Sequence, residues 1–424
     1  MEAPPLLHRL RDELYRELVD HILPYWMTHA VDHTGGGFVG RITNENEVLT
    51  GAPKGCVLNA RILWAFSAAY RLLRNPDYRA LADRAYDYVS TCFLDTEHGG
   101  VYWMLNPAGR PRDTRKFVYA QAFAIYGLSE YARATGHEPA RALAVELGQV
   151  LEHHCTDPVH GGYFEVFSRD WRRLAEARLS DRDEQAPKSM NTHLHVLEAY
   201  TSLYRIWPAP GLRRRLAGLI DLFLTKILDT GTGHVRPFFQ VDWTPTSRVV
   251  SFGHDIEASW LLMEAAGVLG EAALKDRART AGLAVARTIL AEGVDRDGGL
   301  FYEAHPDGTR DTDKHWWPQA EAIVGFVNAY GETGERLFLD AAAAAWAFTR
   351  AHIVDRVHGE WFFRVDRRGN PCPGEDKVGV WKCPYHNVRA CLEVIARTDR
   401  LARQALREGG RATHAGPCSD RDAG

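Results

Sequence analysis

Apolar residues recur in this chain at helical spacing over long stretches, as in Val57, Leu58, Ile62, Leu63, Phe66, Leu72 and Leu73. Residues three and four apart share one helix face, so this period marks helices that bury one side. Read along the whole chain, the pattern predicts helices over about 5–29, 55–75, 79–92, 115–135, 138–154, 190–207, 211–228, 254–269, 273–292, 316–333, 336–352 and 384–406. Between successive pairs of helices one short phrase returns, a glycine pair or His-Gly followed by aromatic, strand-like residues. Its copies are Gly35-Gly36-Gly37-Phe38, His98-Gly99-Gly100-Val101-Tyr102-Trp103, His160-Gly161-Gly162-Tyr163-Phe164, Gly298-Gly299-Leu300-Phe301-Tyr302 and His358-Gly359-Glu360-Trp361-Phe362-Phe363. A weaker copy lies at Gly231-Thr232-Gly233-His234, with Phe238-Phe239 behind it.

From Gly36 through Gly99, Gly161, Gly233 and Gly298 to Gly359, the copies stand roughly 60 to 70 residues apart, a period that belongs to a repeat architecture. Each repeat is a loop or short hairpin followed by a helical hairpin. Six such units bury their apolar faces by closing into a ring, an inner circle of helices inside an outer one. The fold expected is therefore all-α, an (α/α)₆ barrel spanning residues 1–406, with short β-hairpins or loops at one mouth. An open solenoid fits less well, because neither end of the chain reads as a polar capping repeat. The glycines suit tight reversals that need positive φ. Beyond about Ala405 the chain is rich in Gly, Arg and Asp, and the tail 407–424 is expected to be frayed or disordered.

Composition narrows the class. Of 424 residues, 45% are hydrophobic and 25% charged, and the formal net charge is -4. This is the balance of a globular protein with no broad basic surface, so neither nucleic acid nor membrane is an expected partner. The seven cysteines, an odd number without a CxxC pair, read as reduced thiols in the cytoplasm. Met1–Trp26 mixes charges into its apolar pattern and lacks the run of a signal peptide. With 12 Trp, 16 Tyr and 17 Phe, the chain has aromatic faces enough to serve sugar rings as well as a core.

Candidate chemistry gathers where otherwise apolar inner helices begin. The clusters are Ala60-Arg61-Ile62-Leu63-Trp64, Met190-Asn191-Thr192-His193-Leu194-His195, Gly253-His254-Asp255-Ile256-Glu257, Lys314-His315-Trp316-Trp317-Pro318-Gln319-Ala320-Glu321 and Trp381-Lys382-Cys383-Pro384-Tyr385-His386-Asn387. Asn191 and His195 are four apart and His254 and Glu257 three apart, so each pair shares a helix face. His386 follows Pro384, a residue of first turns, and the positive end of that helix would favour its neutral form. Trp316 and Trp317 point about 100° apart, so at least one faces the cavity. Metal-ligand patterns, phosphate-cradling loops and dinucleotide fingerprints are missing, and no metal or other cofactor is expected.

At these residues the chain resembles the N-acylglucosamine 2-epimerase superfamily, most closely its cellobiose 2-epimerase branch, from about residue 8 to 400. The resemblance implies an (α/α)₆ barrel and a cofactor-independent isomerase of reducing sugars; a monomer or homodimer is expected. It also implies His386 and His254 as an acid/base pair supported by Glu257 and His195. Arg61, Tyr119 and Asn191 match positions that contact the reacting sugar, Trp317 and Trp381 its aromatic platforms, and Glu321 a polar cavity residue; Trp316 joins the substrate-binding set. The expected reaction is epimerisation at C2 of the reducing-end aldose of a cellobiose- or lactose-type disaccharide, through ring opening and a cis-enediolate. In it His386 is the base, His254 the opposing acid, Arg61 the enediolate's partner and Glu257 the holder of the His254 tautomer. The reducing-end ring would rest on Trp381 and a second sugar near Trp317. Mannose/glucose or N-acylglucosamine epimerases and aldose–ketose isomerases are alternatives on the same scaffold. An inverting glycoside hydrolase using Glu257 and Glu321 is a more remote one.

Overall fold

A computed structural model describes residues 5–175, 178–179 and 184–414. Six helices meet side by side and close on themselves: α3 (Cys56–Leu73), α5 (Val118–Thr135), α7 (Met190–Ile206), α9 (Phe252–Leu269), α11 (Trp316–Thr333) and α13 (Tyr385–His414). Each packs on the next, and α13 returns to α3. Around them lie α1 (Pro5–Arg16) with α2 (Leu23–His29), α4 (Pro76–Tyr88), α6 (Glu138–His154), α8 (Pro210–Leu222), α10 (Ala272–Glu292) and α12 (Arg336–Phe348). This is the (α/α)₆ ring that the repeat predicts.

Sequence separates the two circles. Inner helices are covered on all sides, and α5 is buried at every residue from Val118 to Ala132. Outer helices show one apolar stripe, as in α4, which buries Tyr78, Ala82, Ala85 and Tyr88 and leaves Pro76, Asp77, Ala80 and Asp87 exposed. The first and last repeats are fastened by crossed bonds: Trp26 Nε1 donates to Glu360 Oε1 at 3.0 Å and Trp361 Nε1 to Glu17 Oε1 at 3.0 Å. Two features escape the periodicity. Four outer helices pass into π-helical turns, at Glu17–Ile22, Val89–Phe93, Phe223–Ile227 and Thr349–Ile353. And α13 continues to His414, past the point near Ala405 where fraying is expected; residues 415–424, the end of that tail, lie outside the described residues.

Strands of two or three residues ring one mouth. The stretch just before an inner helix pairs antiparallel with the hairpin of the following repeat: Lys54–Gly55 with Met104–Leu105, Lys116–Phe117 with Val166–Phe167, Lys314–His315 with Arg364–Val365. Ile42–Thr43 pairs with Asp376–Val378 and closes the circle. Under these strands lies a device repeated in five of the six units. Lys116, wholly buried, donates to Asp95 and to the carbonyl of Gly99, both at 2.9 Å. Lys54 does the same with Asp32 and Gly36, Lys188 with Asp157 and Gly161, and Lys377 with Asp355 and Gly359; Lys314 takes Asp295 and Asp297. An ammonium can stay charged in such a place only with its hydrogen-bonding capacity met, and the turn supplies the partners. Each lysine also lies over an aromatic ring, such as Tyr102 at 4.7 Å from Lys116 and Trp243 at 4.7 Å from Lys188. Much of the aromatic content therefore serves the scaffold.

The repeat glycines are there for their backbone. Gly36, Gly99, Gly161, Gly233, Gly298 and Gly359 all have positive φ, between 74° and 89°, which confirms the weak copy at Gly233. Two neighbours give a test. A Cβ on Gly161 meets nothing within 4 Å, whereas one on Gly162 falls 2.5 Å from the Trp243 ring and 2.7 Å from His193 Nε2. Gly161→Ala should cost about 1–2 kcal/mol for the left-handed backbone alone. Gly162→Ala carries the same strain and the clash besides, so its midpoint in urea unfolding should fall clearly further.

Candidate active site

Residues from the first two turns of all six inner helices line one cavity of about 500 Å³, a volume ordinary for a small-molecule site. Convergent helix N-termini present positive partial charge, so the scaffold itself favours an anion there. Arg61, Tyr119, Asn191, His195, His254, Glu257, Trp316, Trp317, Trp381 and His386 all line it, each a residue singled out from sequence. Glu321 stands just behind the wall, buried beneath His386. Leu179, Glu184, Pro237, Phe238, Val249 and Phe363 line the cavity as well. Leu179 and Glu184 come from the charge-rich segment Arg169–Lys188, expected at the mouth, of which residues 176–177 and 180–183 lie outside the described residues.

Two imidazoles flank one indole: the ring of Trp317 is 4.6 Å from that of His254 and 5.6 Å from that of His386. His386 Nδ1 is 2.7 Å from Glu321 Oε1, and His254 Nδ1 is 2.8 Å from Ser251 Oγ. Nε2 is thus the nitrogen left for chemistry on each ring. Burial, and then the cations Arg61 and Arg389, push the His386 pKa well below the usual histidine value. Burial, with His195 nearby, lowers that of His254 to about 3. The helix end invoked for His386 is in place, since α13 begins at Tyr385, but desolvation is the larger cause.

Several expectations need correction. Glu257 does not hold His254. Its Oε1 accepts from Arg389 Nη2 at 2.5 Å, and the residue that grips His254 is Ser251. Ser251 stands at the N-cap of α9 yet makes no capping bond, whereas Ser189, in the same place on α7, caps through Thr192 N. Glu321 does not reach the cavity but orients His386. Trp317 is 9% exposed and stands between the two imidazoles.

Arg389, which sequence reading missed, organises the cluster from behind. Its guanidinium bonds Glu198 Oε1, Glu257 Oε1 and Glu321 Oε1, and it is 1% exposed. Glu198 in turn holds His195 Nδ1 at 3.0 Å and accepts from the Tyr385 hydroxyl at 2.5 Å. Burial works against the Glu198 charge, but Arg389 and His195 prevail and hold its pKa at about 2. Spacing carried a signal: Glu198 follows His195 by three residues and Arg389 follows His386 by three, each one turn along a shared helix face. At the front, Arg61 Nη2 donates to the Tyr119 hydroxyl at 2.8 Å, and its guanidinium lies 4.1 Å from the Phe123 ring centre. Arg61 Nε and Asn191 Oδ1 are buried without a hydrogen-bond partner.

Glu257, Glu321 and His386 offer ligand atoms within 4.8 Å of one another, a spacing suited to a cation. The cation at those carboxylates is already present as Arg389, and a metal ion would have to displace it. The same spacing bears on the hydrolase alternative: inverting glycosidases set their carboxylates about 6.5–9.5 Å apart, wider than the 4.8 Å here.

Comparison with known proteins places the chain in a family. Residues 36–390 match the family model described as N-acylglucosamine 2-epimerase (GlcNAc 2-epimerase). The chain is 49% identical to a cellobiose 2-epimerase of Bacteroides fragilis over 387 residues, 91% of this chain and 98% of that one. It is 39% identical to a cellobiose 2-epimerase of Dictyoglomus turgidum over 92% of this chain and 98% of the relative. Among solved structures, the cellobiose 2-epimerase of Bacillus thermoamylovorans B4167 superposes with a TM-score of 0.89 at 40% identity, covering 92% of this chain and 100% of that one.

Proposed function

The chain belongs to the N-acylglucosamine 2-epimerase family and is an isomerase, and from that premise we propose that it epimerises C2 of the reducing-end aldose of a cellobiose- or lactose-type disaccharide. The observation that carries this reading is the pair His254 and His386, lining one cavity with Trp317 between them and Nε2 free on each.

A C2 proton is acidic only beside a carbonyl, so the pyranose must first open. Nε2 of His386 then takes that proton, its ring held by the Glu321 carboxylate, which also stabilises the imidazolium that forms. The electron pair moves onto O1, giving a cis-enediolate. Arg61, fixed by Tyr119, and the ring of helix N-termini oppose that charge; preorganised groups in a dry site contribute several kcal/mol in such roles. His254 returns a proton to the other face. Burial has brought the His254 pKa down to about 3, so the ring rests neutral; as the enediolate charge develops beside it, Nε2 takes up a proton from solvent while Nδ1 stays on Ser251 Oγ, and passes that proton to C2. The proton then resides on His386, the state from which the reverse reaction starts. Trp381 supports the reacting sugar, and the second sugar lies towards Phe238 and Phe363.

Incubation with cellobiose, followed by sugar chromatography, tests this. Glucosyl-mannose should accumulate. Glucosyl-fructose as the main product would make the protein an aldose–ketose isomerase, and free glucose a hydrolase.

A further inference from the structure

Three carboxylates, Glu198, Glu257 and Glu321, cluster around the two imidazoles, and among the described residues one of their six oxygens has no hydrogen-bond partner. Glu198 gives Oε1 to Tyr385 and Arg389 and Oε2 to His195 and Tyr385. Glu321 gives Oε1 to His386 and Arg389 and Oε2 to the Trp260 indole. Glu257 lines the cavity and gives Oε1 to Arg389. Its Oε2 has no hydrogen-bond partner among the described residues, and it is not among the buried polar atoms sealed away from one. That oxygen is open to whatever fills the cavity.

The two imidazoles are assigned to C2, which leaves the opening of the pyranose without an agent. We propose that Glu257 Oε2 opens and recloses the sugar ring, and that the protein therefore interconverts the anomers of its substrate in addition to epimerising it. This inference rests on the aldose reading above. As carboxylate, Oε2 takes the proton of the O1 hydroxyl; the O–H electron pair becomes the C1=O double bond, and the C1–O5 bond breaks with its pair on O5. The protonated Oε2 then gives that proton to O5. One proton has moved from O1 to O5, the carboxylate is restored, and no other reactant is consumed. A single oxygen serves both ends because O1 and O5 are bonded to the same carbon. Arg389 keeps the carboxyl in place through Oε1. Burial, with Glu321 beside it, raises the Glu257 pKa above the ordinary carboxyl value and so towards neutrality, in the direction a shuttle needs. In the open form the aldehyde turns about C1–C2, and reclosure yields either anomer.

The test follows the anomeric proton signals of a freshly dissolved single anomer of cellobiose by NMR. Wild-type protein should speed equilibration about 100-fold over buffer at catalytic concentration, within the range of general acid–base catalysis. Glu257→Gln keeps the shape and the bond from Arg389 but cannot carry the proton, and should return to the buffer rate. Glu257→Asp retains a carboxyl drawn back by one methylene and should recover part of the acceleration. Wild-type protein that epimerises while its anomers equilibrate at the buffer rate overturns the inference and leaves the aldose reading intact, a comparison that needs no variant to fold. Anomer exchange without epimerisation does the reverse. Full acceleration by Glu257→Gln removes Glu257 from the role.

Discussion

His386→Ala should lower kcat/KM for cellobiose by about 10²–10⁴-fold, the range for removal of a general base, and should abolish deuterium incorporation from solvent at C2 of the glucose-configured substrate. The expectation follows from position. His386 lines the cavity, its Nδ1 is taken by Glu321, and burial keeps the ring neutral, so Nε2 carries a lone pair towards the substrate. Glu321→Gln, which leaves the ring in place but removes the carboxylate that stabilises the imidazolium, should act mainly on kcat. Unchanged exchange in His386→Ala removes it as the base.

The largest effect on stability should come from Arg389→Met. One guanidinium bonds three buried carboxylates, Glu198, Glu257 and Glu321. Removing one partner of a buried ionic cluster costs about 3–5 kcal/mol, because the remaining charges stay desolvated. The loss depends on pH in a fixed direction. In the wild type Glu198 is held at about 2, below its unfolded value near 4.5, so its contribution is present above about pH 4.5 and is lost as pH falls towards 2. Burial already raises Glu257 and Glu321 in the wild type, with Arg389 opposing it; without Arg389 all three carboxyls move further up, the folded state binds more protons than the unfolded one, and the variant's stability improves as pH falls. Urea unfolding at pH 7.5 and pH 5 should therefore show the gap between variant and wild type narrowing at the lower pH. A gap that widens would show that the guanidinium is not what draws these carboxyl pKa values down.

The ring was legible in the sequence because its cause is local. A reversal with positive φ calls for glycine, and six reversals at a regular step leave six glycines at that step. His254 and His386 were legible for a related reason: a polar ring at the start of an otherwise buried helix is out of place unless it faces a cavity. What remained hidden depends on partners far apart in the chain. Arg389 meets Glu198, Glu257 and Glu321 only once α13 has closed the circle. Ser251 reads as a helix cap until the structure shows its hydroxyl on His254 instead. Lys116 and Asp95 resemble surface charges until both prove wholly buried under the strands. Glu257 was misassigned to His254 because helical spacing shows which residues share a face but not which bond the side chain chooses.

Exchange of the C2 proton in D₂O, measured by NMR with each epimer offered separately to single-histidine variants, tests the two-imidazole account most directly. His254→Ala should wash deuterium into the glucose-configured disaccharide without epimerising it and should leave the mannose-configured one untouched. His386→Ala should do the opposite. A variant that labels both epimers, or His254→Ala that still epimerises, would contradict a proton relay between opposed histidines.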